Sequence, residues 1–208
     1  MMYEYGLGVA QDYAQAAQLY RKSADQGYSS AEFSLGLCYV HGKGVPQDYA
    51  QALYWYGKAA DQNNPDAMVN LGILYHNGKG VEQDEKKAFE YFRRAAEAGS
   101  PDAQLRIGMD YEDGAQGLKR DLGAAAEWLR KSAEQGNVAS QFNLAMLLHD
   151  QPEEVYYWLG LAAPHLKGDP LAKTIQIRNL AAGILGPDKC MEIEARVKRW
   201  QAEHPVLP

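Results

Sequence analysis

Apolar side chains return in this chain at helical spacing, in a block that repeats every 36 residues. At 31–39 the block reads Ala-Glu-Phe-Ser-Leu-Gly-Leu-Cys-Tyr, and at 67–75 it reads Ala-Met-Val-Asn-Leu-Gly-Ile-Leu-Tyr. Further copies stand at 103–111 and 140–148. Apolar positions three and four residues apart predict an amphipathic helix, the A helix of each unit. A second block at 49–60, with counterparts at 16–24, 88–96 and 125–133, predicts a B helix. Its aromatic pair Trp55-Tyr56 becomes Tyr91-Phe92 and then Trp128-Leu129. A fixed period between 20 and 50 residues is the mark of a helical solenoid, in which each unit packs on its neighbours.

Polar and glycine positions punctuate the pattern. Gly42-Lys43-Gly44-Val45-Pro46-Gln47-Asp48 returns at 78–84 and at 6–12, with a looser copy, one residue longer, at 114–121. Glycine ends a helix because it tolerates the left-handed backbone. Asp12, Asp48, Asp84 and Asp121 then stand where the B helices begin, as N-caps worth about 1 kcal/mol each. Gly27, Gly99 and Gly136, with Asn63 in the same role, end the B helices, and Lys22, Lys58, Arg94 and Lys131 fall in their last turns. Gly36, Gly72, Gly108 and Ala145 share one A-helix register. A glycine there costs about 1 kcal/mol against alanine, so its recurrence predicts close approach of a neighbouring helix.

The regular array changes after Leu148. The glycine loop gives way to His149-Asp150-Gln151-Pro152, and a B helix resumes at 153–163 with Trp158 in the Trp55 register. Two more helices are predicted, at about 169–184 and 186–201. Glu192, Glu194, Arg196, Lys198 and Arg199 make the end polar, as the outer face of a terminal unit should be. The expected organisation is one solenoid over 1–208: a shortened repeat at 1–30, repeats at 31–66, 67–102 and 103–139, a loop-shortened repeat at 140–163, and capping helices at 164–208. Residues 1–5 align with the end of an A helix, so the chain starts within a unit and reads as a truncated segment or gene fragment. That leaves Leu19 and Tyr20 as an apolar face through which the N-terminal end is expected to self-associate.

The pattern Ala-x-x-x-Leu-Gly-x-x-Tyr-x-x-Gly-x-Gly-Val-x-x-Asp-x-x-x-Ala-x-x-Trp-Tyr-x-Lys-Ala-Ala resembles the Sel-1-like repeat, a relative of the tetratricopeptide repeat. Residues 31–66 and 67–102 match it almost fully, and 103–139 match with one insertion. The resemblance implies an all-α fold, a right-handed superhelical solenoid of antiparallel helix pairs with the A helices lining a concave surface. It also implies adaptor or scaffold work, the binding of a protein or peptide partner without catalysis. Some bacterial members carry a disulfide in each repeat; here Cys38 has no partner in its own repeat.

Composition narrows the chemistry. A net charge of −6, mixed in sign along the chain, argues against a nucleic-acid surface. No apolar run reaches the ~18 residues of a membrane span, and no signal peptide is visible, which leaves the compartment open between cytoplasm and periplasm. Cys38 and Cys190 read most simply as two ordinary thiols, with a single bridge as the alternative. Cys38 and His41 share a helix, but no second ligand pair follows, and zinc needs three or four ligands, so no metal and no cofactor is expected. The Gly-x-Gly loops follow helices and lack the preceding strand and third glycine of a dinucleotide fingerprint. Glu153-Glu154 open a helix, where negative charge is favourable. No nucleophile, base and orienting group can be assembled, so no catalytic residue is expected.

One surface remains. With the small residue of each A helix numbered zero and successive residues placed round a helical wheel, positions 0, 4 and 8 share a sector and positions 2 and 6 are expected to be buried opposite. Positions 3, 7 and 10 form a mixed stripe: Ser34, Asn70, Arg106 and Asn143; Cys38, Leu74 and Asp110; His41, Asn77 and Asp113. This stripe is the expected partner-binding groove, with plain solvated surface as the alternative. The expected function is a protein-interaction scaffold, and the competing reading is the regulatory subunit of an enzyme or cell-envelope complex.

Overall fold

In the computed structural model, residues 2–6, 8, 10–115 and 117–205 are described. Met1, Leu7 and Val9 of the first unit, Gln116 of the fourth loop, and 206–208 lie outside the described residues. The helices are α1 (Met2–Tyr5), α2 (Tyr13–Ala24), α3 (Ser29–His41), α4 (Tyr49–Asp61), α5 (Pro65–Asn77) and α6 (Glu85–Glu97). They continue as α7 (Pro101–Asp113), α8 (Leu122–Glu134), α9 (Val138–Leu147), α10 (Pro152–Ala162), α11 (Gly168–Leu185) and α12 (Pro187–Glu203), with a 3-10 turn at Ala163–His165. No strand occurs among the described residues, so the all-α expectation holds, with A helices at α3, α5, α7 and α9. The chain divides into two compact units, Met1–Ala103 and Gln104–Pro208.

In the first unit each helix packs on its sequence neighbours from α1 to α6. The caps are those the sequence implies. Asp12 accepts from the Gln15 amide, Asp48 from Ala50 and Gln51, and Asp84 from Lys87, all near 3.0 Å. The amides of Asp48 and Asp84 in turn donate to the carbonyls of Tyr39 and Tyr75 at 3.0 Å, which straps each loop to the A helix before it. Each loop also clamps the preceding unit. A Cβ on Gly44 would overlap the Tyr13 carbonyl, so only glycine fits there. Beside it the Lys43 ammonium lies over the Tyr13 ring at 5.4 Å, and Lys79 repeats the contact over Tyr49 at 5.5 Å.

The recurrent A-helix glycine has the predicted cause. A Cβ on Gly72 would meet the Phe92 ring at 2.7 Å, and Gly36 faces Tyr56 in the same way. An aromatic ring from the B helix therefore packs directly against the glycine of the A helix within one repeat. Ala17, Ala24, Ala31, Leu35, Cys38 and Trp55 form a buried cluster beside this contact. At the N-terminal end Leu19 is 49% exposed, while the Tyr20 hydroxyl donates to Glu4.

In the second unit Gly108 meets Leu129 of α8, the same register with an aliphatic side chain in place of the ring. Asp121 caps α8 through the Ala124 amide at 3.0 Å. Helix α10 packs against α9, α11 and α12, and Leu144, Trp158, Leu159, Ile193 and Val197 lie in one buried cluster. Helix α12 carries most of the polar surface expected at this end, with Met191 exposed among its charged residues. Helix α11 does not: Ile175, Leu180 and Ile184 are 48%, 66% and 74% exposed. The reason is its stripe. Thr174 and Ala181 are buried against the unit, and Ile175, Leu180 and Ile184 stand away from that buried side.

Candidate functional site

The helical wheel decides which part of each A helix meets solvent. Positions 7, 0, 4, 8, 1 and 5 follow one another round one side of the helix. Positions 9, 2, 6, 10 and 3 follow one another round the other. In α5 the first set contains Ala67, Met68, Leu71, Gly72 and Leu74, all buried, with Tyr75 half-buried, and the second contains Val69, Asn70, Ile73, His76 and Asn77, none of them buried. Helices α3 and α7 divide in the same way. One half of each of these A helices is thus in the core and one half is open.

The open half differs from the stripe the sequence suggests. Position 7 is almost two full turns from position 0 and returns to nearly the same side, so it is drawn into the core. Cys38, Leu74 and Asp110 are 7%, 3% and 5% exposed. Positions 2 and 6, expected to be buried, lie between positions 9 and 10 on the open side. Ile73 and Met109 at position 6 are 43% and 41% exposed. The helical period by itself places them there; apolar character argues for burial and misplaces them.

The polar members are differently engaged. Ser34 Oγ donates to the Ser30 carbonyl and Asn70 Nδ2 to the Asp66 carbonyl, both at 2.8 Å, so each turns back on its own helix. Asn77 Nδ2 does the same to Ile73 at 2.8 Å. Arg106 Nε donates to the Asp110 carboxylate at 3.2 Å, which gives that buried acid a partner. His41 and Asp113 are exposed at the ends of α3 and α7. Asn143 is half-buried, and its side chain makes no hydrogen bond among the described residues.

Reactive chemistry is not assembled on this face. Burial pushes the Cys38 thiol pKa up, and the nearby Glu4 carboxylate adds to the shift, so the thiol resists ionisation. Cys38 and Cys190 are both free thiols. Among the described residues no group of three His, Cys, Asp or Glu side chains is placed to hold a metal ion. No described helix is long and apolar enough to cross a membrane.

In the second unit the open face deepens into a channel between α9 and α11, with α10 behind both. One hollow of about 540 Å³ is bounded by Phe142 and Asn143 of α9, Leu166, and Pro170 and Lys173 of α11. A second, of about 290 Å³, is bounded by Met146 and His149 on one side and by Ile177, Leu180 and Ile184 on the other. Both are dominated by carbon. Sequence reasoning reaches Asn143 but not the α11 wall, whose register does not follow the 36-residue repeat.

Comparison with known proteins places this architecture. The family model described as "Sel1 repeat" matches residues 1–28, 29–64, 65–100 and 101–137. The chain is similar to the crystal structure of a Sel1 repeat protein from Oxalobacter formigenes, at 30% identity over 95% of this chain and 84% of that one, with a TM-score of 0.70. It is also similar to c5321, a protective antigen present in uropathogenic Escherichia coli strains displaying an SLR fold, at 28% identity, 98% coverage of this chain and a TM-score of 0.56. The chain spans 52% of that protein's length. Pseudomonas aeruginosa 5086 shares the fold at 18% identity over 92% of this chain and 80% of that one, with a TM-score of 0.51. No curated protein matches the chain.

Proposed function

The chain belongs to the Sel1 repeat family, and from that premise we propose that it is a non-catalytic scaffold whose A helices bind a partner protein or peptide. Sel1 repeat proteins are in general protein-interaction scaffolds. One observation supports the reading most: the open half of the A helices carries half-exposed apolar side chains among polar ones. Val69 and Ile73 stand beside Asn70 and Asn77 in the first unit, and Leu105 and Met109 beside Arg106 and Asp113 in the second. An apolar centre rimmed by polar groups is the composition of a protein interface. It is not what water alone requires, because exposed Ile and Met gain nothing from solvent.

This reading narrows the residues that would touch a partner. Ser34, Asn70, Arg106 and Asn143 at position 3 and His41, Asn77 and Asp113 at position 10 are accessible, and Ile73 and Met109 join them. Cys38, Leu74 and Asp110 act from beneath, by holding the helix and, for Asp110, by orienting Arg106. The test is affinity capture with the intact chain and with a variant carrying Ile73→Asp and Met109→Asp. Both positions are exposed, so the fold should survive, as circular dichroism would show. Partners retained by the native chain and lost by the variant support the proposal; equal retention would overturn it.

A further inference from the structure

The open face of the first unit carries one reactive pair of neighbours, Asn77 and Gly78, at the end of α5. We infer that Asn77 is a deamidation site, which turns a neutral amide on the partner-binding face into a carboxylate. The consequence for binding rests on the scaffold reading; the chemistry stands on the chain alone. The backbone nitrogen of Gly78 attacks Cγ of Asn77, and a five-membered imide forms as the Cγ–Nδ2 bond breaks. The proton of the attacking nitrogen leaves with the Nδ2 group as ammonia. Water then opens the ring at either carbonyl, which gives aspartate or isoaspartate. No oxidant, reductant or metal is needed.

Access to the attacking nitrogen singles out this residue. A side chain on the following residue crowds that nitrogen, and glycine has none. Asn77 is the only asparagine of the chain that precedes glycine; the other six precede Asn64, Pro65, Leu71, Val138, Leu144 and Leu180. Proline has no amide proton to give. Asn77 is exposed, and Gly78 takes the left-handed backbone at φ 63°. The Gly78 amide is shared between the carbonyls of Leu74 and Tyr75, the second at 3.4 Å, longer than an ordinary N–H···O bond. Asn77 Nδ2 donates to the Ile73 carbonyl at 2.8 Å. Both contacts belong to the last turn, and helix ends open at little cost in free energy. While the turn is closed, the two reacting groups are held in separate bonds; opening releases them together. Asn70 on the same face is tied in the same way at 2.8 Å, but it sits in mid-helix before Leu71.

The neighbouring repeats show that the product fits. One repeat on, the same two positions are Asp113-Gly114, with Gly114 at φ 69°; one repeat back they are His41-Gly42, with Gly42 at φ 65°. The backbone is the same at all three, and the side chain is in turn an imidazole, a carboxamide and a carboxylate. The fold thus accepts an acid at this register. A carboxylate cannot donate to the Ile73 carbonyl, so the new charge is freed from its own helix, one turn beyond the exposed Ile73. An amide that could donate to a partner becomes a group that only accepts.

Incubation of the intact chain in mildly alkaline buffer, followed by peptide mapping with mass spectrometry, tests the site. The expected result is the amide-to-acid mass change at Asn77 before any other asparagine, with a more acidic fraction appearing on anion exchange. Asn77→Gln should remove that fraction, because its carboxamide lies one carbon further along and closes a five-membered ring no longer. Conversion first at another asparagine, or none at Asn77, would overturn the site. Affinity capture with the acidic and the unconverted fractions then tests the consequence, with far-ultraviolet circular dichroism to show that both are folded. Loss from the acidic fraction of partners that the unconverted chain retains supports the switch. Equal retention would overturn the switch and leave the scaffold reading standing. An unconverted chain that captures no partner would overturn the scaffold reading and the switch with it, while the mapping still decides the site.

Discussion

At the scale of single residues, two glycines in neighbouring helices have opposite roles. A Cβ on Gly72 runs into Phe92 at 2.7 Å, whereas Gly57 in α4 has open space around the same point. Overpacking costs about 1–3 kcal/mol, and alanine recovers up to about 1 kcal/mol of helix propensity. Gly72→Ala should therefore lower stability by about 1 kcal/mol net, and Gly57→Ala should raise it by a similar amount. Urea denaturation of the two variants checks the sign of each. A stabilised Gly72→Ala would mean that the ring is free to move away.

A buried acid makes a second residue-scale test. Glu32 is fully buried, with Gln62 Nε2 donating to one carboxylate oxygen at 2.7 Å and Lys58 at 3.9 Å from the other. In the next repeat the same two registers hold Met68 and Ala98, and in the one after they hold Gln104 and Gln135, bonded at 2.8 Å. The chain thus keeps the pair either polar at both ends or apolar at the buried end with a small residue opposite. Gln62→Ala alone orphans part of a buried carboxylate and should cost about 1–3 kcal/mol. Adding Glu32→Met copies the neighbouring repeat and should restore most of that loss. A double variant no more stable than Gln62→Ala would show that the two positions are not coupled.

At the scale of elements, the loops and caps carry the order of the helices. Asp48 receives two amides of α4, so Asp48→Ala should cost about 1 kcal/mol, measured as a shift in the urea midpoint. The contact between α10 and α12 has its own signature. Burial, reinforced by the hydrogen bond to Glu194 at 2.8 Å, pushes the Tyr156 phenol up to about 12, against an ordinary value near 10. The folded state then holds this proton more tightly than the unfolded state. Its contribution is complete below pH 10 and is lost as the pH rises towards 12. Melting temperatures from pH 8 to 12 should fall over that window, and Tyr156→Phe should flatten the decline. A decline identical in the two proteins would remove Tyr156 from the account.

What can be read in the sequence follows the same division. The four Asp caps, the left-handed Asn63 and the crowded Gly36 and Gly72 are legible because each is a local rule repeated at one register. The open face is half legible. Its polar edge at Asn70 and Arg106 follows from the pattern, but hydrophobicity sends Ile73 and Met109 to the core, and the stripe sends Cys38 and Leu74 to the surface. Burial at position 7 depends on how nearly two helical turns bring it back over position 0, which residue type does not record. The wall of the channel cannot be read, since Leu180 and Ile184 belong to a helix outside the repeat and their exposure depends on what packs on α11.

At the scale of the whole molecule, the account makes one claim: partners are held by the open half of the A helices, and the B helices are structural. Each unit supplies its own test positions. Ile73 lies on the A-helix face of the first unit and Met109 on that of the second, whereas Tyr54 and Leu122, 55% and 44% exposed, lie on B helices. Site-specific placement of a photo-crosslinking amino acid at these four positions, in turn, tests the claim most directly. The account predicts crosslinks to a captured partner from positions 73 or 109 and none from 54 or 122. Crosslinks confined to positions 54 and 122 would contradict it.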